Sequence, residues 1–124
     1  MTDLQVLNAE QVEALLDPEA LREALTEAMI GLSNGSADVP PRVGTHAEGG
    51  VLLAMPGFLE GVGLATKLIT VFPGNVEVPS HQGVIVLFDH RTGTPLALLD
   101  AEVISGARTA MTAAIAADRL ARPE

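Results

Sequence analysis

From Ser36 to Leu99 the chain runs through strand-type segments in series, with no helical period between them. Pro40-Pro41 enforces an extended entry, and Arg42 to His46 reads as a strand. Val51 to Met55 follows, closed by Pro56-Gly57. Gly63 to Phe72 comes next, apolar on both faces and ended by Pro73-Gly74-Asn75. Val84 to Phe88 and Pro95 to Leu99 form a hairpin around the turn formers of Asp89 to Thr94. Strands grouped in this way exclude an alternating βαβ order. They predict an α+β fold with a mainly antiparallel or mixed sheet.

Helices flank the group. Gln5-Val6-Leu7 reads as a short strand and Ala9 to Leu16 as a short helix. Asp17-Pro18-Glu19 then supplies an N-cap, a proline at the first helical position and an acid in the first turn. Leu21, Leu25, Ala28, Met29 and Leu32 recur at helical spacing until Asn34-Gly35 stops the run. At the other end, Asp100 to Arg122 reads as one long helix, capped by Asp100 and free of proline until Pro123. Ile104, Ala107, Met111, Ala114 and Ile115 form its apolar stripe. The expectation is one domain over residues 1–124, an N-terminal helix pair and a long C-terminal helix packed on the sheet. Gly61-Val62-Gly63 opens a strand that no helix follows, and no GxGxxG occurs, so the chain holds no Rossmann domain.

Composition narrows the function. Seven basic residues against 16 acidic ones give a net charge of −9, which argues against nucleic acid and anionic membranes as partners. There is no cysteine for a disulfide, a thiolate metal site or a thiol nucleophile. The start, Met-Thr-Asp-Leu-Gln, lacks the basic and apolar regions of a signal peptide, and no apolar run approaches the roughly 20 residues of a membrane span. A cytoplasmic protein is expected.

Chemistry points to the cations. Arg22, Arg91, Arg119 and Arg122 fall on helix surfaces, a turn or the chain end. Arg42 instead follows two prolines at a strand start. Lys67 lies mid-strand on the face of Ala65, Ile69 and Val71, and Arg108 lies at the edge of the apolar stripe of the last helix. A cation in such a setting must snorkel, find a carboxylate or await an anionic ligand. Two readings stay open: a convergent anion site in which arginine forks a carboxylate and lysine adds a point charge or a proton, or three separate pairings with the 16 acids. His46, His81 and His90 are isolated, with no second ligand at metal spacing, and His81 could line a cleft. Met55 and Met111 read as core.

Several stretches in order resemble the N-terminal part of the ornithine cyclodeaminase/mu-crystallin family. They are Leu16-Asp17-Pro18, Val39 to Arg42, Leu53-Ala54-Met55-Pro56, Lys67 to Asn75, Gln82 to Asp89, Gly93 to Asp100, and Ala107-Arg108-Thr109-Ala110. The resemblance implies a substrate-binding and dimerisation domain whose sheet pairs across a two-fold axis, with a Rossmann domain carrying NAD or NADP beyond Glu124. It implies oxidation of an amino acid at Cα or reduction of the imine. Arg42, Lys67 and Arg108 match the positions that hold the substrate carboxylate, Lys67 has the catalytic role in this segment, and Ser80, Arg108 and Thr109 match positions at the cofactor. Members acting on ornithine carry a glutamate where Leu53 stands, so a small or apolar amino acid, its keto acid or a cyclic imine is expected instead. The alternative is a non-catalytic dimerisation or small-carboxylate-binding module. Strands apolar on both faces also predict a homodimer.

Overall fold

The computed structural model of the protein describes residues 3–122, so Met1, Thr2 and the Pro123-Glu124 stop lie outside the described residues. The elements in chain order are β1 (Gln5–Leu7), α1 (Ala9–Leu15), α2 (Pro18–Asn34), β2 (Ala37–Asp38), β3 (Val43–Ala47), β4 (Gly50–Leu59), β5 (Gly63–Val71), β6 (His81–Phe88), β7 (Pro95–Asp100) and α3 (Ala101–Leu120).

Each helix starts where a side chain satisfies its free amides. Asn8 and Gln11 form a reciprocal capping box at α1, each accepting the other's backbone N–H at 3.0 Å. Asp17 Oδ1 accepts from Ala20 N at 2.8 Å, Pro18 opens α2, and Gly35 ends it in the left-handed region at φ 83°. Asp100 Oδ1 accepts from Glu102 N at 3.0 Å and from Val103 N at 3.3 Å to open α3.

The strands form a 7-stranded sheet in the order β1-β7-β6-β5-β4-β2, with β3 also on β4. β1 runs parallel to β7 and every other pairing is antiparallel, so the sheet is mixed. β6 begins at His81 rather than Val84, and two larger differences lie along β4. β4 does not close at Pro56-Gly57 but runs through them to Leu59, and β2 was not anticipated. The reason is positional. On the outer edge of β4, β3 pairs with Gly50–Ala54 and β2 with Phe58–Leu59, which leaves Met55, Pro56 and Gly57 without a neighbour on that edge. A proline there breaks no ladder on its open side.

Register sets the two faces of the sheet. Leu59, Met55, Lys67, Ile85, Leu99, Ala97 and Leu7 share one face, and the three helices pack together over it. Leu52, Ala54, Leu68, Val84, Val86, Leu98 and Val6 share the other, which carries no helix. The α3 stripe holds through Ile104, Ala107, Met111 and Ile115, but Ala114 is exposed; Ala101, at the start of the helix, is 2% accessible. Arg22 of α2 is paired with Asp118 of α3 at 2.6 Å.

Only Val12, Ala97 and Ala101 are buried apolar residues among those described. The chain exposes 8879 Å². A compact monomer of 12.8 kDa exposes about 6,300 Å². The large apolar side chains left exposed include Met29, Ile30 and Leu120 on helices as well as Val6 and Leu52 on the helix-free face of the sheet.

Candidate functional site

The interruption on β4 builds a cleft. Between β2 and β3 the chain passes through Val39-Pro40-Pro41-Arg42, which pairs with no strand. Two consecutive prolines lack the amides to join a ladder and hold this segment extended. It spans the open stretch of β4, with Val39 within 3.7 Å of where a Cβ would stand on Gly57. The cleft beneath measures about 630 Å³, walled by Val39, Pro40, Pro41, Met55, Pro56, Gly57, Ala65 and Ile85, with Arg42 and Lys67 as its charges. Lys67 is cross-strand from both Met55 and Ile85, so its stem rises between apolar neighbours.

A second, smaller cleft of about 240 Å³ lies on the other side of Lys67, against α3. Ile69, His81, Gln82, Gly83, Ala101, Glu102 and Ser105 complete its lining. Lys67 Nζ donates to Ser105 Oγ across 3.4 Å. Lys67 thus stands between the two clefts.

Its electrostatics follow from this position. Burial among apolar neighbours pushes the Lys67 ammonium below its ordinary pKa, and the like charges of Arg108 and Arg42 push in the same direction. Among the described residues, none of Arg42, Lys67 and Arg108 forms an ion pair; the single pair is Arg22 with Asp118. Cations that repel one another and form no ion pair can receive an anion, and arginine matches a carboxylate's geometry.

The other candidates fall around this centre. Arg108 is an exposed helix residue that lines neither cleft yet acts on Lys67 through its charge. Thr109 follows it and donates to the Ser105 carbonyl at 2.7 Å. Ser80 precedes β6, and its hydroxyl is 3.1 Å from His81 Nδ1. Leu53 shares the face of Lys67 but packs over Gly44, where a Cβ would come within 2.7 Å of it, and lines neither cleft. His90 lies in the β6–β7 turn, 6.0 Å from the Phe58 ring. No group of three metal-ligating side chains occurs among the described residues. Sequence reasoning missed Ser105 and Glu102. The available signal was spacing: Ser105 sits one helical turn before Arg108, on the same side of α3.

The profile of the ornithine cyclodeaminase/mu-crystallin family matches residues 2–124. The chain belongs to this family. Among its relatives, the alanine dehydrogenase of Archaeoglobus fulgidus is 35% identical over 119 residues, covering 94% of this chain and 37% of that protein. A solved archaeal alanine dehydrogenase dimer with bound NAD superposes with a TM-score of 0.89 at 35% identity, over 96% of this chain and 38% of that one. The Δ1-pyrroline-2-carboxylate reductase of Thermococcus litoralis, solved with NADH and L-proline, gives 0.86 at 34% identity over the same shares, 96% and 38%. The chain therefore spans a little over a third of the length of these family members. The α+β sheet-and-helix fold expected for the family segment is the one observed. No helix among the described residues is long and apolar enough to cross a membrane.

Proposed function

We propose that this chain is the substrate-binding and dimerisation part, a single domain over residues 1–124, of a cytoplasmic NAD(P)-dependent amino-acid dehydrogenase, cyclodeaminase or imine reductase acting at the Cα of a small amino acid. The observation that carries the reading is that Arg42 and Lys67 share one cleft, that the charge of Arg108 reaches Lys67 from a third element, and that none of the three is ion-paired among the described residues. Arg42 and Arg108 clamp the carboxylate of an amino acid, keto acid or imine. Lys67 fixes the third point. With its pKa lowered, it can also give a proton to a group developing charge at the reacting carbon. The cleft around Lys67 is walled by Met55, Ala65, Ile85 and Val39, which suits a small apolar side chain rather than a second ammonium group.

Bound NAD or NADP supplies the hydride acceptor or donor. The residues here fit its approach rather than its capture. Ser80 stands beside His81, which lines the smaller cleft, while Arg108 and Thr109 lie on α3 one turn beyond Ser105. The Ser80 hydroxyl and the unpaired Arg108 guanidinium suit amide or phosphate oxygens, while the Thr109 hydroxyl, which donates to the Ser105 carbonyl, can still accept. A second copy of the chain covers the helix-free face, where Leu52 and Val6 are 40% and 63% exposed. The surplus exposed area, roughly 2,600 Å², is of the size that permanent interfaces bury.

Titration calorimetry with pyruvate, with and without NAD(P)H, tests the reading, with Arg108→Ala as the control. Binding to the parent chain that the variant loses is the expected result. Equal binding by both would remove Arg108 from the site. The second reading, a non-catalytic carboxylate-binding module, is favoured by one observation: all three cations belong to this chain, so anion capture needs no further segment. Under the first reading the 124-residue chain alone is nearly inactive, so detectable turnover by it with NAD(P) would overturn that reading.

A further inference from the structure

Among the described residues, one hydrogen bond joins a side chain of the sheet to a side chain of α3: Lys67 Nζ to Ser105 Oγ, at 3.4 Å and partly buried. A lysine on a strand has a long flexible stem and much rotamer freedom to lose on being fixed. Burial disfavours the charged head here, and the like charges of Arg108 on α3 and Arg42 before β3 repel it. His81 of β6 and Glu102 of α3 line the same small cleft, and neither is paired with Lys67. The larger cleft offers the head an open route to water past Ala65 and Met55. Against that drive stands a single neutral acceptor. Ser105 lies three residues before Arg108 on one helix, so it also fixes the lysine head relative to that guanidinium.

We propose that Ser105 is a positioning residue whose hydroxyl tethers the Lys67 ammonium between the two clefts, so that the three-cation carboxylate clamp keeps its spacing before an anion arrives. The inference rests on the carboxylate-binding reading above and names a residue that reading does not use. Ser105 itself touches no substrate; it acts through Lys67.

The test uses the whole chain carrying labelled lysine, with the Lys67 signal assigned by its loss in Lys67→Met. NMR titration of Lys67 Nζ is compared in the parent, Ser105→Ala and Ser105→Thr proteins. In Ser105→Ala the freed head relaxes into water, so its pKa rises toward the ordinary lysine value and its side-chain order falls. Ser105→Thr, which keeps a hydroxyl, restores both. Pyruvate affinity falls about tenfold in Ser105→Ala and recovers in Ser105→Thr, as loss of one preorganised contact predicts. An unchanged Lys67 pKa in Ser105→Ala overturns the proposal. So does a further fall, which is the mark of an ammonium that stays in place and has merely lost an acceptor. If the parent chain binds no pyruvate, the carboxylate-binding reading fails, and the Lys67 titration still decides the role of Ser105.

Discussion

Ile69 of β5 and Gly83 of β6 face each other so closely that position 83 has no room for a side chain. A Cβ there would stand 2.6 Å from Ile69 Cγ2, 2.5 Å from the Leu68 carbonyl oxygen and 3.1 Å from Ile69 Cα. The two residues are direct cross-strand partners, and both line the smaller cleft beside Lys67. The tight approach sets the floor on which Lys67 and His81 stand. Gly83→Ala is therefore expected to destabilise the chain by about 2 kcal/mol or more, read as a lowered urea midpoint. Two of the three contacts are backbone, so adding Ile69→Ala should restore less than half of the loss.

Lys67 makes stability depend on pH in a definite direction. Its folded-state pKa lies below the unfolded value of 10.5, so the unfolded chain binds the proton more readily. The lysine's unfavourable contribution is full below the folded pKa and is relieved as pH rises from there toward 10.5. Lys67→Met removes the charge and keeps the stem's packing. It should raise the melting temperature at pH 7, by an amount limited because the lysine is only partly buried, while abolishing carboxylate binding. Equal melting temperatures for variant and parent at pH 7 would contradict this account.

Asp100 opens α3 and so holds the helix that carries Ser105, Arg108 and Thr109. Its carboxylate accepts two amides of the first turn. Asp100→Ala is expected to cost about 1 kcal/mol by chemical denaturation, and Asp100→Asn only a few tenths. The larger loss should also weaken pyruvate binding, because fraying of the first turn loosens α3 over Lys67.

The ion pair of Arg22 and Asp118 joins α2 to α3 at 2.6 Å, but the side chains are 42% and 62% exposed. A double-mutant cycle with Arg22→Ala and Asp118→Ala should give a coupling energy under about 1 kcal/mol, smaller still at high salt. A larger value would make this bridge, rather than apolar packing, the main link between the two helices.

Much of this was legible in the chain because local chemistry carried it. Asp17-Pro18, Asn34-Gly35 and Asp100 mark helix ends through hydrogen bonds within a few residues, and the helices begin and end there. Asp89 to Thr94 reads as a turn, and its amides close on the Asp89 carboxylate. Lys67, Arg42 and Arg108 are conspicuous as cations on elements expected to be apolar. What sequence could not show depends on contacts distant in the chain. Pro56 looks like a strand terminator until it is known that β2 and β3 pair on either side of it. Ala114 has the spacing of a buried residue, yet it is exposed near the end of the helix, while Ala101 at its start is buried. Ser105 is an ordinary helix serine until β5 brings an ammonium beside it, 38 residues away in sequence.

The break in the outer ladder of β4 separates recognition from architecture. Val39 to Pro41 shape the mouth of the cleft without pairing to any strand, so their identity can change while Arg42 stays in the clamp and every strand keeps its register. A scaffold of this kind can acquire a new diet by editing a rim and leave its foundations alone.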